Sequence, residues 1–280
     1  MGWDFHVHTQ ASDGCLKPAE VVQRASSRGL DGIAITDHDT LSGIPEAERE
    51  GRKCDVRVIP GVEISTSWKK EDIHIIGLFI DHKDVSLQYH LTEQRGLRQR
   101  RNDCILSILN NMGLSITREE VHKQVPPGGQ MGRPHIAAAL VERGVVITRR
   151  EAFDRYLGSQ GKAYVGMERA HPRQAIDWIH KAGGKAVLAH PGIYKGNWQQ
   201  AEWLEGLWGL EVHHPDHTVA ICDECCDIAA KRGLFPTSGS DFHGIVDGKA
   251  YHAELGTCAL SSAQGERLWE RMYHRRDSSS

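Results

Sequence analysis

Short apolar runs and amphipathic stretches alternate along most of the chain. Residues 3–8 alternate with a period of two, as a strand with one buried face does. Pro18 then stands at a first helical position and Gly29 at a helix end. Residues 32–36 read as the next strand, 45–53 as a helix, 56–65 as one or two short strands broken near Pro60-Gly61, and 73–79 as another strand. The beat returns with strands at 185–189, 210–212 and 234–237. Strands that alternate with helices pair in parallel. About seven of them predict an α/β fold, a distorted (β/α)7 barrel rather than an open doubly wound sheet, with the loops after the strands gathered on one face.

The middle breaks this rhythm. Between residues 84 and 165 the strand signal gives way to helical spacing, in Leu87 and Leu91 and then in Ile105, Ile108, Leu109 and Met112. Thr117 with Glu120, and Thr148 with Glu151, have capping-box spacing, and Gly144 and Gly158 stand where helices stop. We expect a first barrel segment at 1–83, a small helical insertion domain at 84–165 serving as a substrate lid, and a second barrel segment with a C-terminal helix at 166–280. Residues 84–165 carry twelve Lys or Arg against eight Asp or Glu, a net +4, so with a chain total of −3 the remainder carries −7. A basic lid over an acidic mouth suits an anionic substrate, although a solvated helix surface would give the same count.

Composition narrows the class. The 280 residues are 39% apolar and 25% charged, with a mean hydropathy of −0.46, which suits one large globular domain with an insertion. No apolar run approaches the roughly 18 residues of a membrane span, and the first residues lack the basic and apolar regions of a leader. A cytoplasmic protein is expected, with no membrane association and no obligate protein partner. Seven scattered cysteines, an odd number, suit a reducing compartment better than a disulfide framework.

Seventeen histidines outnumber Cys, Trp, Tyr or Phe, and their positions carry the chemistry. His6-Val7-His8 sets two imidazoles on the same face of a strand, a weak signal alone. His38, Glu63, His74, His190, Asp241 and His243 each fall at or near the end of an expected strand, and the array is a strong signal. Nitrogen and carboxylate donors without thiolate favour Mn, Zn or Fe over a site of purely Mg type, and so many donors can hold more than one ion. His213, His214 and His217 lie near the same face without assignable partners, whereas His82, His90, His122, His180, His252 and His274 read as locally satisfied.

These residues carry a resemblance. His6-Val7-His8-Thr9 with Ser12-Asp13-Gly14, Ile35-Thr36-Asp37-His38-Asp39, Gly61-Val62-Glu63-Ile64-Ser65, His74, Ala189-His190-Pro191 and Gly239-Ser240-Asp241-Phe242-His243 occur in an order that resembles the PHP (polymerase and histidinol phosphatase) superfamily. The resemblance implies a distorted seven-stranded barrel with three divalent metal ions, manganese first and iron or zinc as alternatives. It assigns His6, His8, Glu63 and Asp241 to one ion, Asp13, His38 and His243 to a second, and a bridging Glu63 with His74 and His190 to a third. The insertion, the segment Arg133-Pro134-His135 and the run Gly161-Lys162-Ala163-Tyr164-Val165 look like the branch of nucleoside 3′,5′-bisphosphate phosphatases and 5′-to-3′ exoribonucleases. There Arg133, His135 and Lys162 would face the substrate phosphate, with His135 protonating the leaving oxygen after attack by a metal-activated hydroxide.

The implied substrate is a nucleotide or a short 5′-phosphorylated RNA. The rivals are a histidinol-phosphate-type phosphatase and a metal-binding module without turnover. The chain departs from many relatives at Ile193 and Ala138, where they carry arginine, and both departures bear on substrate identity. Cys222, Cys225 and Cys226 lie on a stretch of helical patterning and read as packing residues, and Gly128-Gly129 with Gly132, lacking a preceding strand, reads as a loop.

Overall fold

The structure is a computed structural model that describes residues 2–125, 131–166, 169–246, 249–250 and 252–277. Gly128 and Gly129, and the side chain of His274, lie outside the described residues.

Seven strands follow one another around the sheet: β1 (Gly2–Val7), β2 (Gly32–Ile35), β3 (Arg57–Trp68), β4 (Glu71–Leu78), β5 (Lys185–Leu188), β6 (Gly209–His213) and β7 (Phe235–Ser238). The chain beyond β7 returns to β1 through a bridge between Val7 and Phe242, where the His8 N–H donates to the Phe242 carbonyl at 2.9 Å. The sheet is thereby a nearly closed barrel. Two residue pairs, β8 (Ile245–Val246) and β9 (Lys249–Ala250), pair antiparallel as a separate two-stranded sheet, and β10 (Leu260–Ser261) lies antiparallel on the start of β1.

Pairing is not parallel throughout, as the βα alternation predicts; β4 runs antiparallel to both neighbours. Its hairpin with β3 turns through Lys69 and Lys70, both with positive φ (50° and 68°), the backbone of a tight two-residue turn. Nor is β3 broken at Pro60-Gly61. Residues 57–60 pair with β2 and 61–68 with β4, so the dipeptide marks where one strand changes partner. A Cβ at Gly61 would stand 2.9 Å from the carbonyl oxygens of both Ile35 and Gly77, which reserves the position for glycine.

Helices α1 (Pro18–Ser27), α2 (Ile44–Cys54), α7 (Pro172–Lys181) and α8 (Val219–Arg232) pack on the barrel, and α9 (Ser262–Asp277) closes it at β1. Between β4 and α7 stand α3 (Val85–Asn111), α4 (Arg118–Lys123), α5 (Arg133–Glu142), α6 (Arg149–Ala152) and a π-helical turn, 153–157. These four helices and the turn bury an apolar cluster of their own, which includes Ile105, Leu109, Val121, Ile136, Leu140 and Leu157. Thr117 and Glu120 cap α4 reciprocally as their spacing predicts. At α6, by contrast, the Glu151 carboxylate takes the Ile147 N–H instead. No helix among the described residues is long and apolar enough to cross a membrane.

Candidate metal centre

Alternation along β1 sends Trp3 and Phe5 into an apolar cluster with Ile59, Ile76 and Leu268, leaving Asp4 and His6, and His8 just past the strand, for the opposite face. His6 and His8 are fully buried beneath a cavity of about 460 Å³. That cavity is lined by Asp13, His38, Glu63, His74, His190, Asp241 and His243, so all nine sequence-predicted donors meet in one place. His190 and Asp241 both carry positive φ (28° and 50°), backbone strain held where the strands end.

The tightest group is His6, His8, Glu63 and Asp241. His6 Nε2 lies 3.1 Å from His8 Nε2, 3.4 Å from Glu63 Oε2 and 3.3 Å from Asp241 Oδ1. His8 Nε2 is 3.2 Å from each of the same two oxygens. Donors bound at about 2.0–2.2 Å to one ion stand about 3.0–3.5 Å apart in tetrahedral or octahedral geometry. Two imidazole nitrogens facing each other share at most one proton, so the fit is to a cation. Burial opposes charging of His8, but Asp241 and Glu63 outweigh it and push the imidazole up to about 10. The carboxylates that favour a proton on His8 would equally favour a divalent cation, which would have to displace that proton.

Glu63 divides its oxygens. Oε2 faces His6 and His8, and stands 3.0 Å from His38 Nδ1 without hydrogen-bond geometry. Oε1 takes His74 Nδ1 at 2.7 Å and His190 Nε2 at 3.0 Å. Burial would raise its carboxyl, yet His38, His74 and His6 hold it well below the usual carboxylate range. Asp13 forms the third corner, 3.4 Å from His243 Nε2 and 3.8 Å from both His8 Nδ1 and His38 Nε2. Asp13 Oδ1, His8 Nδ1, His190 Nδ1 and His214 Nε2 are buried without a hydrogen-bond partner, and such orphaned donors and acceptors call for ions or water.

Several neighbours escaped sequence reading. Glu211 sets Oε1 3.0 Å from His6 Nδ1 and accepts the His190 backbone N–H on Oε2 at 2.7 Å, fixing two donor residues at once. Its signal was a carboxylate between Leu210 and Val212 on an apolar strand, a burial that needs partners. Asp37 likewise accepts the Thr9 N–H and both the Thr9 and Ser12 hydroxyls, anchoring the loop that carries Asp13. His214 and His252 both line the cavity; His252 Nδ1 is 3.8 Å from Asp241 Oδ2, so the local reading of His252 is corrected. His213 is exposed, and His217 is engaged by Val212 and Gly192.

The helical segment covers the cavity from the side. Arg133 lines it, with Nη2 3.3 Å from Asp72 Oδ2 and Nη1 donating to the Leu157 carbonyl. His135, at the third position of α5, accepts the Gly132 N–H on Nδ1 at 3.0 Å, which leaves its proton on Nε2. It is thus both a helix cap and a cavity residue. Arg149 joins the lining, whereas Lys162 is exposed after the π-helical turn and outside it.

A nearly closed barrel whose strand ends gather histidines and carboxylates into clustered cation sites defines a metal-binding α/β barrel protein. The chain belongs to the PHP domain family, which matches residues 4–235. It is similar to the 5′-3′ exoribonuclease Rnm of Escherichia coli, at 38% identity over 96% of this chain and 92% of that one. It is also similar to the 3′,5′-nucleoside bisphosphate phosphatase of Chromobacterium violaceum, at 34% over 88% of each. Among solved structures, a Bifidobacterium adolescentis protein provisionally described as a metal-dependent phosphoesterase superposes with a TM-score of 0.85 at 31% identity, covering 97% of this chain and 96% of the other.

Proposed function

We propose that the chain is a hydrolase that removes terminal phosphate esters from nucleotides or cleaves 5′-phosphorylated RNA from its 5′ end, with three divalent ions, manganese first. The observation that carries this reading is the set of five donor separations of 3.1–3.4 Å among His6, His8, Glu63 and Asp241. The two curated relatives support the substrate class, since one is a 5′-3′ exoribonuclease and the other a 3′,5′-nucleoside bisphosphate phosphatase. Asp13, His38 and His243 would hold a second ion, and Glu63 with His74 and His190 a third. Bound there, such ions polarise phosphoryl oxygens and make water nucleophilic near neutral pH.

The protein's own groups orient and neutralise. Glu211 fixes His6 and the backbone of His190. Arg133, steadied by Asp72, offers its remaining N–H groups to non-bridging oxygens, and Lys162 is assigned an outer contact with the same phosphate. His135 donates a hydrogen bond from its Nε2–H to the leaving oxygen. Seven free cysteines fit a cytoplasmic setting.

Metal analysis combined with phosphate release in manganese tests the reading. Phosphate from adenosine 3′,5′-bisphosphate but not from histidinol phosphate is expected. The reverse preference selects a histidinol-phosphate-type enzyme, and bound metal without any turnover selects a non-catalytic module.

A further inference from the structure

A second cavity, about 670 Å³ in volume, opens in the helical segment and shares none of its lining with the metal cavity. Its walls include Arg95, Gly96, Gln99 and Asn102 of α3 and Arg118 and His122 of α4. From this cavity, and resting on the function proposed above, we infer that it receives the nucleotides that follow the cleaved end of a single-stranded RNA.

The two cavities are neighbours. Met131 lines one, while Arg133 and His135 line the other. Arg98 lines the outer cavity and reaches inward, donating to Asp39 Oδ2 at 2.9 Å and to Ser65 Oγ at 2.8 Å, two residues along β3 from Glu63. Each volume lies in the range of a single-ligand site, about 300–1,000 Å³. A free mononucleotide needs only the inner one, whereas a chain of linked units can occupy both.

The outer cavity also holds features that the fold does not explain. Asn102 is 2% exposed; its amide donates to the Met131 carbonyl at 2.8 Å, but its Oδ1 is buried without a partner, as is Arg98 Nε. Gly96 interrupts the 27-residue α3, a residue unfavourable in a helix interior. Yet a Cβ there would approach only Arg100 Nη1, at 3.6 Å, so no packing within the protein requires a glycine. A ligand lying against the helix would. Arg98 is paired with Asp39 and Arg118 with Asp103, each at 2.9 Å, and Arg95 donates to the Asp39 carbonyl, so phosphodiesters would meet the guanidinium N–H groups that these bonds leave over. Gln99 and His122 match base edges and ribose hydroxyls.

The test uses full-length protein and a fluorescent 5′-phosphorylated hexaribonucleotide, comparing wild type with Gly96→Leu and Arg118→Glu. Anisotropy should show affinity falling by about tenfold in each variant, and hexamer turnover should fall about tenfold relative to turnover of adenosine 3′,5′-bisphosphate. Gly96→Leu should melt no lower than wild type, since leucine is the better helix former, so its loss of binding would not be unfolding. Unchanged affinity and an unchanged turnover ratio in both variants overturn the inference. If wild type releases phosphate from the bisphosphate in that case, the proposed function stands without the track. If wild type hydrolyses neither substrate while the variants lose hexamer affinity, the function fails and the track remains.

Discussion

The barrel mouth and the helical segment bury charge of opposite sign. At the mouth, Glu63, Asp241, Asp13 and Glu211 surround a ring of imidazoles, and the cluster draws positive charge, as the raised His8 shows. Beside it, Arg98, Arg101, Arg133 and Arg169 crowd around Asp39 and Asp72, and the cluster is short of anions. Burial first, and then the nearby Arg169, Arg133 and Arg98, push Arg101 down to about 8, a measure of how poorly its charge is compensated. Unpaired buried charge is costly, so under the proposed function the two regions suit different guests, metal ions in one and phosphate groups in the other.

The comparison breaks most visibly at Glu63, which faces donors of every proposed ion site. Glu63→Gln should lose bound metal, and turnover should fall about a hundred- to a thousandfold. Full metal content by elemental analysis in that variant would remove Glu63 from the centre. Glu211→Gln should act less strongly, by about ten- to a hundredfold in metal affinity or activity, because it touches donors rather than ions. An unchanged metal titration curve would leave Glu211 a purely structural carboxylate.

These two residues also show what sequence can carry. Glu63 was legible because it sits in a run whose neighbours and order form a recognisable pattern, and the strand ends that deliver His6, His8, His190 and Asp241 follow from apolar periodicity alone. Glu211 was not, because its role depends on β6 lying beside β5 and on His6 reaching across from β1, contacts between residues distant along the chain. The same limit hid the antiparallel β4, since the turn at Lys69-Lys70 has none of the usual Gly or Asn signals. In the helical segment, spacing found the helices and the capping box at Thr117, but not the arginine cluster, whose members come from α3, α5 and the segment before α7.

The arginine cluster yields a prediction of opposite sign. Arg101 is 6% exposed, and its Nε has no hydrogen-bond partner. Arg101→Met should keep the volume and remove the uncompensated charge, raising stability by about 1–2 kcal/mol. Urea denaturation measures this directly. A lower midpoint would mean that the guanidinium is paired better than its surroundings suggest.

The smallest effect is expected at His135, where the two regions touch. Burial holds its imidazole below the usual histidine value, and the Gly132 N–H occupies the Nδ1 lone pair that a second proton would need. Below pH 6.5 the unfolded chain therefore takes up this proton before the folded one. Stability supported by the neutral ring is present above that value and lost as pH falls beneath it, with a slope of at most about 1.4 kcal/mol per pH unit. Gln is the usual capping-box residue at the third helical position, so His135→Gln should keep the cap while removing the titration. Its melting temperature should then decline less than that of wild type between pH 7 and pH 5.5, two values chosen to straddle the unperturbed histidine range. Parallel declines would place the pH sensitivity in other histidines, whereas a shallower decline with bound metal intact and turnover reduced would separate the cap from the chemistry of the same ring.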